Sequence, residues 1–280
     1  MAISASLGSL LLGATDTAGV RWTLGNLDGW DSPEIRAALA DREGDHGSFW
    51  APVFFGFRPV TLTGTISAPD AASLDAACEQ AYAAVSLTDT TLVVNETIPK
   101  QAVVRRSGKV LVTRETDLVA TYSFLVTAAD PRRYDVNLQS QTTPMASTSG
   151  GLVLPATLPW TLSATTVNGA ITATNSGTFD TRPVLTITGP VSQPSVIARY
   201  PDGTVRSMNY TGPDLTATDQ LVIDVDSRSV TQNGASRRQW MSFTGPRPVI
   251  PAGTTVAYQL RAAAYSAPAL LTATWRSAWT

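Results

Sequence analysis

The sharpest change of pattern in the chain falls in residues 53–87. Within 58–66, Val60, Leu62, Gly64 and Ile66 lie on one side and Thr61, Thr63 and Thr65 on the other. That period of two is the mark of a half-buried strand. Pro69 and Asp70 stop the strand, and the Asp70 carboxylate is placed to cap a following helix. From Ala71 the period lengthens. Leu74, Cys78, Tyr82 and Val85 recur at helical spacing, with Asp75 and Glu79 to one side. A helix of about 15 residues, roughly 22 Å long, cannot bury such a stripe alone and needs a sheet beneath it. The flanking strands are the natural sheet, so an α+β domain is expected around this stretch.

The chain before it reads as one or two strands in residues 1–30, closed by a turn at Asp28-Gly29-Trp30. Asp31-Ser32-Pro33-Glu34 has the cap, proline and early carboxylate of a helix start, which predicts a short helix carrying Ile35, Ala38 and Leu39. A charged, glycine-rich loop spans 41–47. After the long helix, strands are expected at 90–98, 100–106, 109–115 and 118–128. The last is apolar on both faces, as a central strand would be. Pro131 ends it, and polar sequence from Asn137 to Gly151 marks a boundary. The expected organisation is an N-terminal domain over 1–135, a linker over 136–151 and a C-terminal domain over 152–280.

The second half is β throughout. Turn signals include Asn168-Gly169, Pro201-Asp202-Gly203, Gly212-Pro213, Asn233-Gly234 and Gly245-Pro246. Between them strands are expected at 184–188, 196–200, 205–210, 221–225, 256–262 and 270–275, the layout of a sandwich or barrel. No helical period and no internal repeat appear there.

Composition narrows the function. The formal charge of −2 gives no case for electrostatic nucleic-acid binding. Nearly all the positive charge is arginine, a residue suited to planar interface pairs, although high genomic GC content gives the same bias. Cys78 is the only cysteine and His46 the only histidine, so an intramolecular disulfide or a Cys/His zinc site within one chain is impossible. Cys78 sits on the apolar helix stripe and reads as a buried structural thiol. The apolar run in 9–13 is too short to span a membrane, and no Lys or Arg precedes it. It reads as a strand, and a soluble chain made in a cytoplasm is expected. The two glycosylation-type triplets, at Asn95 and Asn209, then carry no meaning.

Few residues are candidates for chemistry. There is no phosphate loop and no nucleophile elbow. Asp224 and Asp226 could pair for glycoside hydrolysis, but the favoured reading is the wet face of an amphipathic strand. Trp50, Phe54, Phe55 and Phe57, followed by Arg58, form an aromatic cluster that serves either core packing or an oligomer interface. Arg237, Arg238 and Arg247 flank Trp240. Such a patch can bind sugar or nucleic acid, but in an acidic chain a protein contact or plain solvation is favoured.

Taken in order, these signals resemble the distal tail protein (Dit), or minor tail protein, family of long-tailed bacteriophages (siphophages). The N-terminal matches are RPVTLTGTI from Arg58, the helix after it, and ADPRRY from Ala129. The C-terminal matches are NSGT from Asn175, PVLTITG from Pro183, DQLVID from Asp219, RSVTQNG from Arg228, PAGT from Pro251 and WRSAW from Trp275. The resemblance implies a mainly β chain with one principal helix, in which an α+β N-terminal domain makes a hexameric ring at the tail tip. The C-terminal domain would be a galectin-like antiparallel β-sandwich. The implied partners are copies of itself, the major tail tube protein, the tail-associated hub or fibre protein, the tape-measure protein C-terminus and a receptor-binding protein. The implied location is the virion, after synthesis in the host cytoplasm. It implies no cofactor, metal or catalytic residue. The second half has no histidine, so the sugar constellation of true galectins has no counterpart and galectin-like describes the fold only. Two other readings are weighed against it. One is a carbohydrate-binding module recognising host-surface glycans through Trp160, Trp240 or Tyr210, and the other is a hydrolase using Asp224 and Asp226.

Overall fold

The computed structural model describes residues 4–149 and 165–280. The chain divides into two compact units, Met1–Val136 and Asn137–Trp279.

In the first unit the strands run antiparallel. Their order is Leu10–Leu12, Ser4–Leu7, Thr90–Asn95, Lys100–Arg106, Val119–Ala128, Arg58–Ser67, Arg21–Asp28 and Ala14–Thr15, with Leu111–Arg114 also against Val119–Ala128. The longest pairing joins the Arg58–Ser67 and Val119–Ala128 strands, from Arg58 opposite Ala128 to Ser67 opposite Val119. The period-two pattern decides what faces inward. Val60, Leu62 and Ile66 join Ala120, Tyr122, Phe124 and Val126 in one buried layer. The break in this row at Gly64 is required by Tyr122, whose hydroxyl donates to the Thr23 carbonyl at 2.7 Å. A Cβ at Gly64 would lie 1.9 Å from that same carbonyl oxygen.

Ala71–Ala84 is the helix. Asp70, extended at φ −149°, accepts from the Ser73 amide at 2.8 Å, so the expected cap forms. Of the expected stripe, Leu74, Cys78 and Val85 are buried, and only Tyr82 departs from it. Leu74, Ala77, Cys78 and Ala81 face the sheet, while Tyr82 is 44% exposed. Alanines let the helix approach the strands closely, and a tyrosine in that row would hold it off. Burial pushes the Cys78 thiol pKa upward, and Glu79 adds to it, so the thiol is held in its inert form.

The short helix expected after Asp31 does not form. Ile35–Arg36 pairs with Phe54–Phe55, and Leu39–Asp41 pairs with Ser48–Trp50. The capping residues supply a start signal worth only about 1 kcal/mol, and a two-stranded ladder to the aromatic run outweighs it.

In the second unit two sheets enclose one core. One runs Gln139–Pro144, Leu270–Trp275, Val184–Thr188, Gln220–Asp224, Ser229–Gln232, Ala235–Ser236. The other runs Ala170–Thr174, Thr255–Arg261, Ser195–Arg199, Val205–Tyr210, Met241–Thr244. Leu185, Ile187, Leu221, Ile223 and Leu271 from the first meet Ile171, Val196, Met208, Tyr258 and Leu260 from the second, which makes an antiparallel β-sandwich.

The polar segment expected to be a linker is structured. Gln139–Pro144 is an edge strand, registered from Gln139 opposite Trp275 to Pro144 opposite Leu270. Its polar residues suit an edge strand whose first four residues are exposed on both sides and in which only Thr143 is buried, and a proline is tolerated at an edge. Residue 152, the expected start of the second domain, and Trp160 lie outside the described residues.

Candidate functional site

Residues 31–57 leave the first sheet as a two-stranded arm. Its root is tied by Glu34 N–H to Phe57 O at 3.2 Å and Gly56 N–H to Glu34 O at 2.7 Å. Farther out, Ala51 N–H donates to Ala38 O at 3.2 Å, and near the tip Arg42 N–H donates to Gly47 O at 3.1 Å. The Ser48 hydroxyl donates to Asp41 Oδ1 at 2.9 Å. No third strand covers these ladders among the described residues.

The arm carries the aromatic cluster singled out from sequence. Trp50 is 78% exposed, Phe54 62% and Phe57 49%, while Phe55 is half-buried. Phe49, Ile35, Leu39 and Val53 are exposed beside them. The sequence pattern alone does not set Phe49 with the rings after it, and the helix start at Asp31 puts Ile35 and Leu39 on a helical stripe rather than on a ladder. Once the segment is extended, Ile35 stands opposite Phe55 and Leu39 opposite Trp50. An isolated two-stranded hairpin is marginal in water, and a patch of large apolar side chains at its surface marks an interaction site. Covering one such ring is worth about 1.5–3 kcal/mol.

Arg58 does not belong with the exposed rings. It is fully buried and anchors the arm's root. Its Nε and Nη2 donate to Pro131 O at 2.9 and 2.7 Å, and Nη1 reaches Trp30 O and Gly29 O. Burial first, then the Arg133 charge, lowers its pKa to about 10, with Asp31 and Asp130 opposing. The guanidinium therefore stays charged at neutral pH and is satisfied by carbonyl oxygens rather than by a carboxylate. Trp30, buried beside it, donates from Nε1 to Glu96 Oε1 at 2.6 Å. Lys100 bonds the other Glu96 oxygen, and Arg133 lies over the Trp30 ring at 5.6 Å. Burial raises the Glu96 pKa, but the bonds from Lys100 and Trp30 and the charges of Lys100 and Arg133 outweigh it and leave it lowered.

The second cluster lies where the sandwich crosses between its sheets. A 3-10 turn, Arg238–Trp240, connects the Ala235–Ser236 edge to Met241–Thr244. Trp240 is half-buried. Arg237 lies over its ring at 5.1 Å, and Tyr210 meets it edge-on at 6.4 Å. Arg237 Nε and the Tyr210 hydroxyl both donate to Gln232 Oε1, each at 3.2 Å. Arg238 lies over Phe243 instead, as does Arg247, each at 5.0 Å.

Asp224 and Asp226 are not poised as an acid–base pair. Asp224 Oδ1 accepts from the amides of Asp226 at 2.8 Å and Ser227 at 3.1 Å, which closes a turn. Asp226 pairs with Arg182. Among the described residues no group of three or more His, Cys, Asp or Glu side chains could hold a metal ion, and no helix is long and apolar enough to cross a membrane.

No protein-family model matches the sequence, and no curated protein matches it. Solved structures do match. The crystal structure of the Dit protein of phage SPP1 is titled a paradigm of the hub adsorption apparatus in phages infecting Gram-positive bacteria. It superposes with a TM-score of 0.65 at 10% identity, covering 100% of both chains. A chain of the phage P2 baseplate in its activated conformation with calcium gives a TM-score of 0.49 at 11% identity over 98% of each chain. A chain of that baseplate with strontium gives 0.43 at 10% identity, covering 95% of this chain and 99% of its own.

Proposed function

The chain has the fold of the SPP1 Dit protein over its whole length, and from that premise and the bare arm we propose that it is a structural, non-enzymatic component of a phage tail tip. Copies assemble into a ring, expected to be six-fold, in which the arm of each copy is covered by another copy. The first unit makes the ring between the major tail tube protein and the hub or fibre protein, near the tape-measure C-terminus. The sandwich is left to contact receptor-binding components. The observation that carries the reading is Trp50, 78% exposed on a two-stranded arm with Phe49, Phe54 and Phe57 beside it. Such an arm gains most from a partner that supplies its missing layer.

Native mass spectrometry across protein concentration tests this. A six-fold species that Trp50→Ala and Phe54→Ala together abolish is the expected result. A chain that stays monomeric at every concentration would count against the self-assembling ring. The carbohydrate-binding alternative has weaker support, because Arg237 already occupies a position over the Trp240 ring. Glycan-array binding lost on Trp240→Ala would revive it.

A further inference from the structure

The sandwich carries more positive charge than its own carboxylates can neutralise. From Asn137 onward there are nine arginines and six aspartates, with no lysine or glutamate. Two of the arginines, Arg238 and Arg247, gather around Phe243, and Arg228 lies near Arg247. Arg238 and Arg247 each lie 5.0 Å from its ring centroid. Arg228 is close enough for its charge, with that of Arg238, to weaken the hold of Arg247 on its proton, after burial as the leading cause. Among the described residues none of these three has a carboxylate within ion-pairing distance. Arg206, stacked on Tyr200 at 4.7 Å, donates to the Arg247 carbonyl at 3.4 Å, and Arg237 stacks on Trp240. Two further guanidinium groups therefore adjoin the pair on Phe243, Arg206 through the Arg247 carbonyl and Arg237 through its chain neighbour Arg238.

We propose that Arg238 and Arg247 on Phe243, with Arg228 near them, bind the phosphate groups of an anionic polymer. A guanidinium laid flat on an aromatic ring keeps its N–H edge free to donate sideways. Only one donor of Arg238 is committed within the cluster, from Nη1 to Met241 O at 3.0 Å. A phosphate fits better than a carboxylate because its additional oxygens can accept from more than one guanidinium, whereas one arginine fork satisfies a carboxylate. A polymer fits better than a lone anion because Arg206 and Arg237 add further guanidinium groups next to the pair, more than one phosphate can satisfy. The bound anion relieves the repulsion among like charges that the free protein tolerates in water.

The test is calorimetric titration of the full chain at low salt with polyphosphate, inorganic phosphate and poly-glutamate. Polyphosphate should bind, with inorganic phosphate weaker and competing for the same place. Arg238→Gln with Arg247→Gln should weaken polyphosphate binding by about tenfold or more, and a circular dichroism spectrum should match that of the parent. Arg199→Gln with Arg261→Gln removes the same charge elsewhere on the sandwich and should leave binding intact. Arg228→Gln gives an independent reading, with a smaller loss, should the double variant misfold. Equal binding by parent and Arg238/Arg247 variant, an equal loss in the charge-matched control, or no binding at all would overturn the proposal. Poly-glutamate binding as tightly as polyphosphate would replace it with an acidic-protein surface.

Discussion

Two regions of this molecule show aromatic rings to solvent, and they do so in opposite ways. On the arm, Trp50, Phe54 and Phe57 stand largely bare, and Arg42 lies over Phe49 at 4.9 Å. On the sandwich, the half-buried Trp240 and Phe243 are each covered by a guanidinium within 5.1 Å. A bare ring gains by losing water, so it suits an apolar partner and a contact insensitive to salt. A ring under arginine presents charge, so it suits an anion and a contact that salt weakens. One residue class thus serves two kinds of recognition, set by what the neighbouring strands place above it.

The comparison can be broken most severely at the arm's root. Arg58→Ala removes a buried cation bonded to three carbonyls. It should destabilise the chain by about 3 kcal/mol or more, read as a shifted urea midpoint. Association should fall with it. Unchanged stability would mean that Arg58 does not hold the arm.

The exposed rings should behave oppositely. Trp50→Ala and Phe54→Ala should each weaken association by about 2 kcal/mol or more. The urea midpoint of the dissociated chain should barely move. If stability falls instead, these rings serve the fold.

Asn175 offers a control that belongs to neither surface. It is fully buried, with Nδ2 donating to Phe179 O at 2.7 Å and Ile250 O at 3.1 Å. Its Oδ1 accepts from Gly177 N–H at 3.0 Å and Ala278 N–H at 3.2 Å. Asn175→Ala should cost roughly 1–3 kcal/mol in thermal unfolding and leave self-association untouched.

The smallest expected effect is with acid. The Glu96 pKa is held below its ordinary value of 4.5 in the folded chain. Its contribution to stability is therefore complete above that value and lost as pH falls through the lower folded one. Glu96→Gln should flatten the acid limb of the stability profile in that window. A profile identical to that of the parent would remove Glu96 from the latch at Trp30.

Much of the fold could be read along the chain. Residues 184–188, 205–210 and 270–275 alternate cleanly, and their strands form where expected. The Asn233-Gly234 turn forms with both residues at positive φ, 49° and 82°. The segments that carry the family resemblance also find a physical reason. RPVTLTGTI and ADPRRY meet because Arg58 donates to Pro131 O. NSGT and WRSAW meet because Asn175 accepts from Ala278 N–H, and a Cβ on Gly177 would lie 1.8 Å from Ala278 O.

What sequence hid was tertiary. Residues 31–39 carry a helix start yet become strand, since only the partner strand decides the ladder. Gln139–Pro144 reads as linker because its apolar layer is supplied by others. The aromatic arm was legible as a cluster, but its exposure was not, because alternation cannot tell a covered face from a bare one. Arg238 and Arg247 were legible as part of a patch at Trp240, but their meeting on Phe243 instead was not, because linear spacing does not say which ring a guanidinium covers.

The central claim is that the arm rings become buried between copies of the chain. Hydroxyl-radical footprinting, read by mass spectrometry at low and high protein concentration, tests it residue by residue. Oxidation of Trp50, Phe54 and Phe57 should fall as the chain assembles, while oxidation of Trp240 and Phe243 stays constant. Arm rings that remain equally oxidised in the assembled species would contradict the account.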